Sequence, residues 1–290
     1  FVILAWGGAD QKTVDETVEQ GLAALRESGN RQPLITVLAN LAILSTEAAD
    51  LAAAENYVSE AEALSRKLGS SAASAQVDGA RSYLEEIRGN LDLARQSLER
   101  GLEKARQSKT GLLVANLLQN RAQLEMTAEQ PAEAAKWARQ AVGAYEAAGD
   151  QHNALETQAL LVWASAASAS RAEALRERAR WREAVSREEG ASDSFPIVVL
   201  EARIAEALGE TKEALALRRR ALTQATAQAQ PLMMLEQRFW IARLLAHAGQ
   251  RRELERVRAE LLRDLEAHGL RRMADELRAV TPALERISQR

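Results

Sequence analysis

The chain has 290 residues, with 47% hydrophobic, 27% charged, 4% aromatic and no Cys. Its 58 Ala and 40 Leu make up about a third of the chain, a composition of strong helix formers that points to an all-α protein. The lack of Cys excludes a disulfide-stapled domain and any Cys-ligated metal site. A balance of 38 basic against 41 acidic residues excludes both a disordered chain and a globally basic surface for gripping nucleic acid.

In chain order, Phe1-Val2-Ile3-Leu4-Ala5-Trp6 is apolar but far too short to span a bilayer. A start without Met suggests a processed form or a piece of a longer chain. No other apolar run approaches the length of a membrane span, so no membrane insertion and a cytoplasmic location are expected. From there the pattern reads as helical hairpins. Second helices are expected at about 11–28, 50–68, 91–108, 131–148, 171–188, 211–228 and 251–267. First helices are expected at about 33–47, 72–87, 112–127, 152–167, 195–207 and 232–247. A last helix over 270–289, with a bend near Pro282, would cap the stack. Pro33, Pro196 and Pro231 open first helices and Pro131 opens a second one, where the missing N–H costs nothing.

The hairpins recur every 40 residues, with turns near 9, 49, 89, 129, 169, 209 and 249. Five residues after each turn stand Val14, Ala54, Ala94, Ala134, Ala174, Ala214 and Leu254. Twelve after it stand Gly21, Ala61, Gly101, Ala141, Trp181, Ala221 and Leu261. Leu4, Leu44, Leu84, Leu124, Ala164, Ile204 and Leu244 lie five before it. Small residues in register mark close helix crossings. Gly29, Gly69, Gly149 and Gly269 mark left-handed helix stops, with Gly111 and Gly190 one or two residues late. Trp181 interrupts the small column, and Ser165–Ser170 lacks a helix stop, so an irregular twist is expected in the fifth unit.

These columns resemble the tetratricopeptide repeat (TPR). Ile241-Ala242, Leu244, Gly249, Leu254 and Leu261 follow its order, as do Ala202, Leu208-Gly209, Ala214 and Ala221-Leu222. The period is 40 rather than the usual 34, and the aromatic signature of the first helix is absent, with Leu38, Asp78, Leu118 and Gln158 in its place. A HEAT-type array has a similar period but fits the turn–Ala–Ala spacing less well. The resemblance implies one right-handed α-α superhelical solenoid over 1–290, of about seven hairpins with a C-terminal cap.

Little in the sequence suggests chemistry. His152, His247 and His268 fall in different units, and none has a helical i, i+4 His partner for zinc. No Ser stands in a Gly-x-Ser-x-Gly setting. Gly7-Gly8 lacks a P-loop Lys, and Glu85-Glu86 and Glu188-Glu189 read as solvated helix faces. No catalytic residue, metal site or cofactor is expected, and the chain is read as not an enzyme. The basic stretch around Arg251–Arg272 is interleaved with Glu and Asp, which argues against a nucleic-acid partner.

A groove offers the better site. In such arrays first helices line the concave face. The column nine before each turn reads Asn40, Ala80, Asn120, Leu160, Leu200 and Trp240, and the column six before it reads Ile43, Tyr83, Gln123, Trp163, Arg203 and Arg243. Thirteen before it come Thr36, Gln76, Asn116, Glu156, Pro196 and Glu236. The candidate groove is therefore amide-rich in its first half (Asn40, Asn116, Gln119, Asn120, Gln123, beside Tyr83). Its second half is aromatic and basic (Trp163, Arg203, Trp240, Arg243). Amides can pair with the backbone of an extended peptide, a use the resemblance implies for Asn40 and Asn120. Trp and Arg are typical anchors of binding surfaces. The first functional expectation is a non-catalytic scaffold that holds an extended peptide or partner helix. The alternative is the sensor region of a larger bacterial transcription regulator, kinase or protease. An enzyme reading would need a solvent-shielded cluster of titratable groups, which the sequence does not show.

Overall fold

A computed structural model describes residues 11–168, 171–187 and 191–287. Among them are fourteen α-helices and no strand. The helices are α1 (Gln11–Glu27), α2 (Arg31–Glu47), α3 (Leu51–Leu68), α4 (Ser71–Arg88), α5 (Leu91–Ser108), α6 (Gly111–Thr127) and α7 (Pro131–Ala148). Then follow α8 (Gln151–Ser168), α9 (Arg171–Arg187), α10 (Phe195–Ala207), α11 (Thr211–Ala227), α12 (Pro231–His247), α13 (Arg251–Ala267) and α14 (Arg271–Ile287). Successive hairpins pack side by side as a right-handed α-solenoid with α14 as its cap. The apolar segment Phe1–Trp6, Gly7-Gly8 and the turn positions 9 and 169 lie outside the described residues.

The helix stops are more regular than the Gly column suggests. Residues 29, 49, 69, 89, 109, 129, 149, 209, 229, 249 and 269 all have positive φ, one every twenty positions through the described turns. Each follows a helix of 17 or 18 residues, apart from the shorter α10. The bonding is that of a left-handed stop: the amide of Glu210 donates to the carbonyl of Ala205 at 2.8 Å, and Gln130 donates to Glu125 at 2.8 Å. Four stops are not Gly: Ala49, Lys109, Glu129 and Ala229. The stop after α5 is thus Lys109, and Gly111 opens α6 instead of closing α5. Side-chain caps restart some helices, as where Asp50 accepts from the Ala53 amide and Ser70 from the Ala73 amide.

The small columns lie at the crossings. Ala54, Ala94, Ala134, Ala174 and Ala214 are all buried, as are Ala61, Ala141 and Ala221. Gly101 shows why the residues are small: a Cβ there would stand 3.2 Å from the Asp78 Cβ and 3.3 Å from the Ala75 carbonyl oxygen, so α5 rides directly on the α4 backbone. Leu84, Leu124, Ile204 and Leu244 fill the space between the crossings.

The break in this regularity falls after α9. Trp181 is buried, and its indole N–H donates to the Leu155 carbonyl of α8 at 3.1 Å. A 3₁₀ turn at Ala191–Asp193 then takes the place of the first turn of α10. Ions join α9 to the helices that follow: buried Arg178 donates to Glu201 at 2.8 Å and to Glu213 at 2.9 Å, and also pairs with Glu210. Arg182 shares Glu213 at 2.7 Å. Trp181 and this polar junction thus stand where other units carry the second small residue.

The solenoid returns on itself. α12 touches α2, and α14 touches α4. Ala49, at the end of α2, belongs to the same buried cluster as Phe239, Leu245 and Leu265, with Ile87 of α4 packed against it. The last units therefore pack against the first ones.

Candidate functional site

The column six before each turn is half-buried in all six units. Neighbouring first helices meet along the column thirteen before it, where the Thr36 hydroxyl donates to Gln76 Oε1 at 3.1 Å. Thr127 of α6 likewise donates to Glu86 of α4 at 2.6 Å.

In the second half of the array, aromatic and guanidinium groups alternate. Arg203 (α10) lies over Trp163 (α8), 4.6 Å from the ring centre. Trp240 (α12) sits between Arg218 of α11 at 5.1 Å and Arg243 at 4.7 Å, with Phe239 edge-on to it. Cation–π contacts of this kind strengthen when water is removed, to about 2 kcal/mol. Arg218 is fully buried; its Nε donates to Glu206 at 2.6 Å and its Nη1 to Gln237 at 2.9 Å. Arg243 and Arg272 share Glu276 at 3.1 and 2.7 Å.

Facing these groups are carboxylates that the column pattern does not single out. Burial pushes the Glu47 carboxyl up to about 7, and the nearby Glu236 charge pushes the same way. Burial raises Glu236 as well, against the pull of Arg203, Arg218 and Arg272. Glu86 is raised by burial despite the Thr127 hydroxyl it accepts. Tyr83 is pushed well above the ordinary phenol range by burial and by Glu236, Glu47 and Glu86. Arg203 is lowered by burial and by the neighbouring Arg218. Tyr83, Glu236 and Arg203 keep only part of their surface in water, and desolvation is the largest influence on each, so charge there is poorly screened.

Tyr83, Trp163, Arg203, Trp240 and Arg243 thus come together in one polar and aromatic cluster. The amides divide. Asn40 and Asn120 are exposed and make no hydrogen bond among the described residues. Gln123 is half-buried and makes none either. Asn116 and Gln119 are committed instead to the buried Tyr145 of α7, whose hydroxyl lies 2.7 Å from Asn116 Oδ1 and 2.5 Å from Gln119 Oε1. One phenol carries one proton, so one of these amides must turn its N–H₂ to the phenol oxygen. Glu85-Glu86 corrects the reading of a solvated face: both are buried, because α4 is covered by α5 on one side and by the returning C-terminal helices on the other. Glu188-Glu189 lies outside the described residues.

Neither a family model nor a curated protein matches the sequence. Solved structures do match its shape. One is a Rap protein complexed with Competence and Sporulation Factor, at TM-score 0.62 and 12% identity, covering 92% of this chain and 81% of that one. At that identity the likeness speaks for the fold alone: a TPR-like helical-repeat solenoid.

For the described residues, no group of His, Asp and Glu could hold a metal ion, and no helix is long and apolar enough to cross a membrane. His152 faces Glu156, and the His247 ring bonds the Arg243 carbonyl, so the three His stay apart.

Proposed function

We propose that the chain is a binding scaffold, one that holds an extended peptide or a segment of a partner protein in its hollow and does not transform it. The observation that carries this reading is the inner cluster, where the ionisable groups of Arg203, Glu47 and Glu236 have no ion-pair partner among the described residues and burial disfavours the charge of each. Ionisable groups left without a partner in so buried a place are costly to the free protein, and a ligand that meets them recovers that cost. The exposed amides Asn40 and Asn120 add donors and acceptors suited to a peptide backbone. A solved neighbour of this shape is a Rap protein complexed with Competence and Sporulation Factor, which supports a binding role for a solenoid of this shape.

The cluster is also the solvent-shielded group of titratable residues that an enzyme would need. Glu47, near 7, has an acidity suited to proton transfer. A base alone is not a reaction. No Cys exists in the chain, and none of the three His belongs to the cluster, so it offers neither a thiol nor an imidazole to work beside that base.

The test is a peptide array read by intrinsic tryptophan fluorescence. Short segments should bind with affinities on the order of micromolar, about 8 kcal/mol. Trp240→Ala should weaken the best ligand at least about tenfold, or about 1.4 kcal/mol, with helicity unchanged. Affinity unaltered by Trp240→Ala and by Asn40→Ala with Asn120→Ala would remove the groove from consideration.

A further inference from the structure

A cleft of about 390 Å³ opens at one edge of the solenoid, where the ends of α5 and α7 meet the first turn of α6. None of its lining residues belongs to the inner cluster. Its apolar wall is Val114 of α6 with Ala144, Ala147 and Ala148 of α7. The repeat register explains the gap. In the preceding unit the positions of these three alanines hold Lys104, Gln107 and Ser108, and in the one before that Leu64, Lys67 and Leu68. Methyl groups stand in place of mostly longer side chains, and the space they leave is the cleft.

The rim is basic. Arg106 and Lys109 line the cleft, are exposed and make no ion pair among the described residues. Arg66 and Lys67, at the end of α3, are likewise exposed and unpaired. Just beyond them the Ser71 hydroxyl lies 3.5 Å from Gln107 Oε1, which ties that edge to the end of α5. Helix dipoles do not require these cations, since α7 and α11 end with none in the last turn. Nearby acids do not answer them: Asp150 is turned to Asn153, and Glu103 and Glu146 line no part of the cleft. Leu112, beside the cleft on α6, and Leu68, next to Lys67, are two of the four large apolar side chains left most open to water among the described residues.

We propose that this cleft is a second docking surface, which takes an acidic segment of a partner protein. One Leu-sized side chain of that segment seats against the alanines of α7, and carboxylates on either side of it meet Arg106 and Lys109. An apolar pocket supplies the affinity and the basic rim selects the sign of the partner. Lys109 makes the site testable apart from the fold. It forms its left-handed stop at φ 57°, where the units on either side use Gly69 and Gly149, so Gly at this position removes the cation and relieves the backbone together.

Three labelled peptides of equal length, acetylated and amidated, test the cleft by fluorescence anisotropy at low salt. The first has a central Leu between Glu residues, the second a central Ala between Glu residues, and the third a central Leu between Gln residues. The first should bind about fivefold or more tighter than either of the others. Lys109→Gly with Arg106→Gln should abolish its advantage over the Gln peptide while the fold stays at least as stable. Ala147→Gln, which restores the side chain found at Gln107, should abolish its advantage over the Ala peptide. A first peptide that binds no tighter than the others, or not at all at millimolar concentration, overturns the proposal. So does an advantage that survives these variants. A loss of binding on Trp240→Ala would place the peptide at the inner cluster instead, and the second surface would fall while the binding reading above stands.

Discussion

Trp181 occupies a column that holds Ala or Gly in every earlier unit, and the array absorbs it by giving the indole both a buried seat and a partner at Leu155. Removing it leaves a cavity that the helices α8 and α9 cannot close without shifting. Trp181→Ala should cost about 3–5 kcal/mol, read from urea unfolding; a loss below about 1 kcal/mol would mean that the fifth unit is loosely packed. Single residues of this kind were partly legible in the sequence. The column six before each turn holds Tyr83, Trp163, Arg203 and Arg243, all half-buried, because a residue's face on a helix follows from its register. Arg218 was not legible, since it reaches the cluster from a second helix, and its burial depends on Glu206 and Gln237 being in place to receive it. Asn116 and Gln119 were legible in position but not in state, because the Tyr145 hydroxyl that engages them comes from another helix of the same unit.

At the scale of the helix, the controlling feature is the stop every twenty residues. The sequence shows it only where the stop is Gly. A side chain with a Cβ can adopt the left-handed conformation at a cost of about 1–2 kcal/mol, and at Ala49, Lys109, Glu129 and Ala229 the register imposed by packing outweighs that cost. Glu129 is exposed and forms its stop at φ 57°. Glu129→Gly should therefore stabilise the protein by up to about 1 kcal/mol, after allowing for the greater freedom Gly gives the unfolded chain. Gly89→Ala should do the reverse and by more: its φ is 86°, and the added methyl would meet the Arg272 Cβ at 3.2 Å. Melting temperatures of the two variants moving in the same direction would contradict the account of the stops. The second substitution also strains the contact between α4 and α14, which leads from the helix to the whole array.

Repeat arrays ordinarily depend on contacts between neighbours alone, and a 40-residue period read from sequence carries no information on whether the ends meet. Here they do, and the meeting places Glu47 of α2 near Glu236 of α12. Across this seam Glu236 of α12 acts through space on Glu47, on Tyr83 and Glu86 of α4 and on Arg203 of α10, Glu47 also acts on Tyr83, and the carboxylates among them are raised by burial. A carboxyl held up at about 7, against 4.5 when unfolded, favours the folded state while protonated. Its contribution is complete below pH 4.5 and is lost as pH rises through 7, by at most about 3–4 kcal/mol at roughly 1.4 kcal/mol for each pH unit between the two values. Glu55, held down to about 2 by Arg81 and Arg88 in spite of its burial, works in the opposite sense and costs stability only as pH falls below 4.5. The chain should therefore be most stable near pH 5 and less stable at pH 8. Glu47→Gln should flatten the slope between those two values without changing the slope below pH 4. Urea unfolding at pH 3, 5 and 8 measures all three regions. A slope between pH 5 and 8 that persists in Glu47→Gln, and again when Glu236→Gln is added, would show that the two ends of the solenoid do not press these carboxylates together.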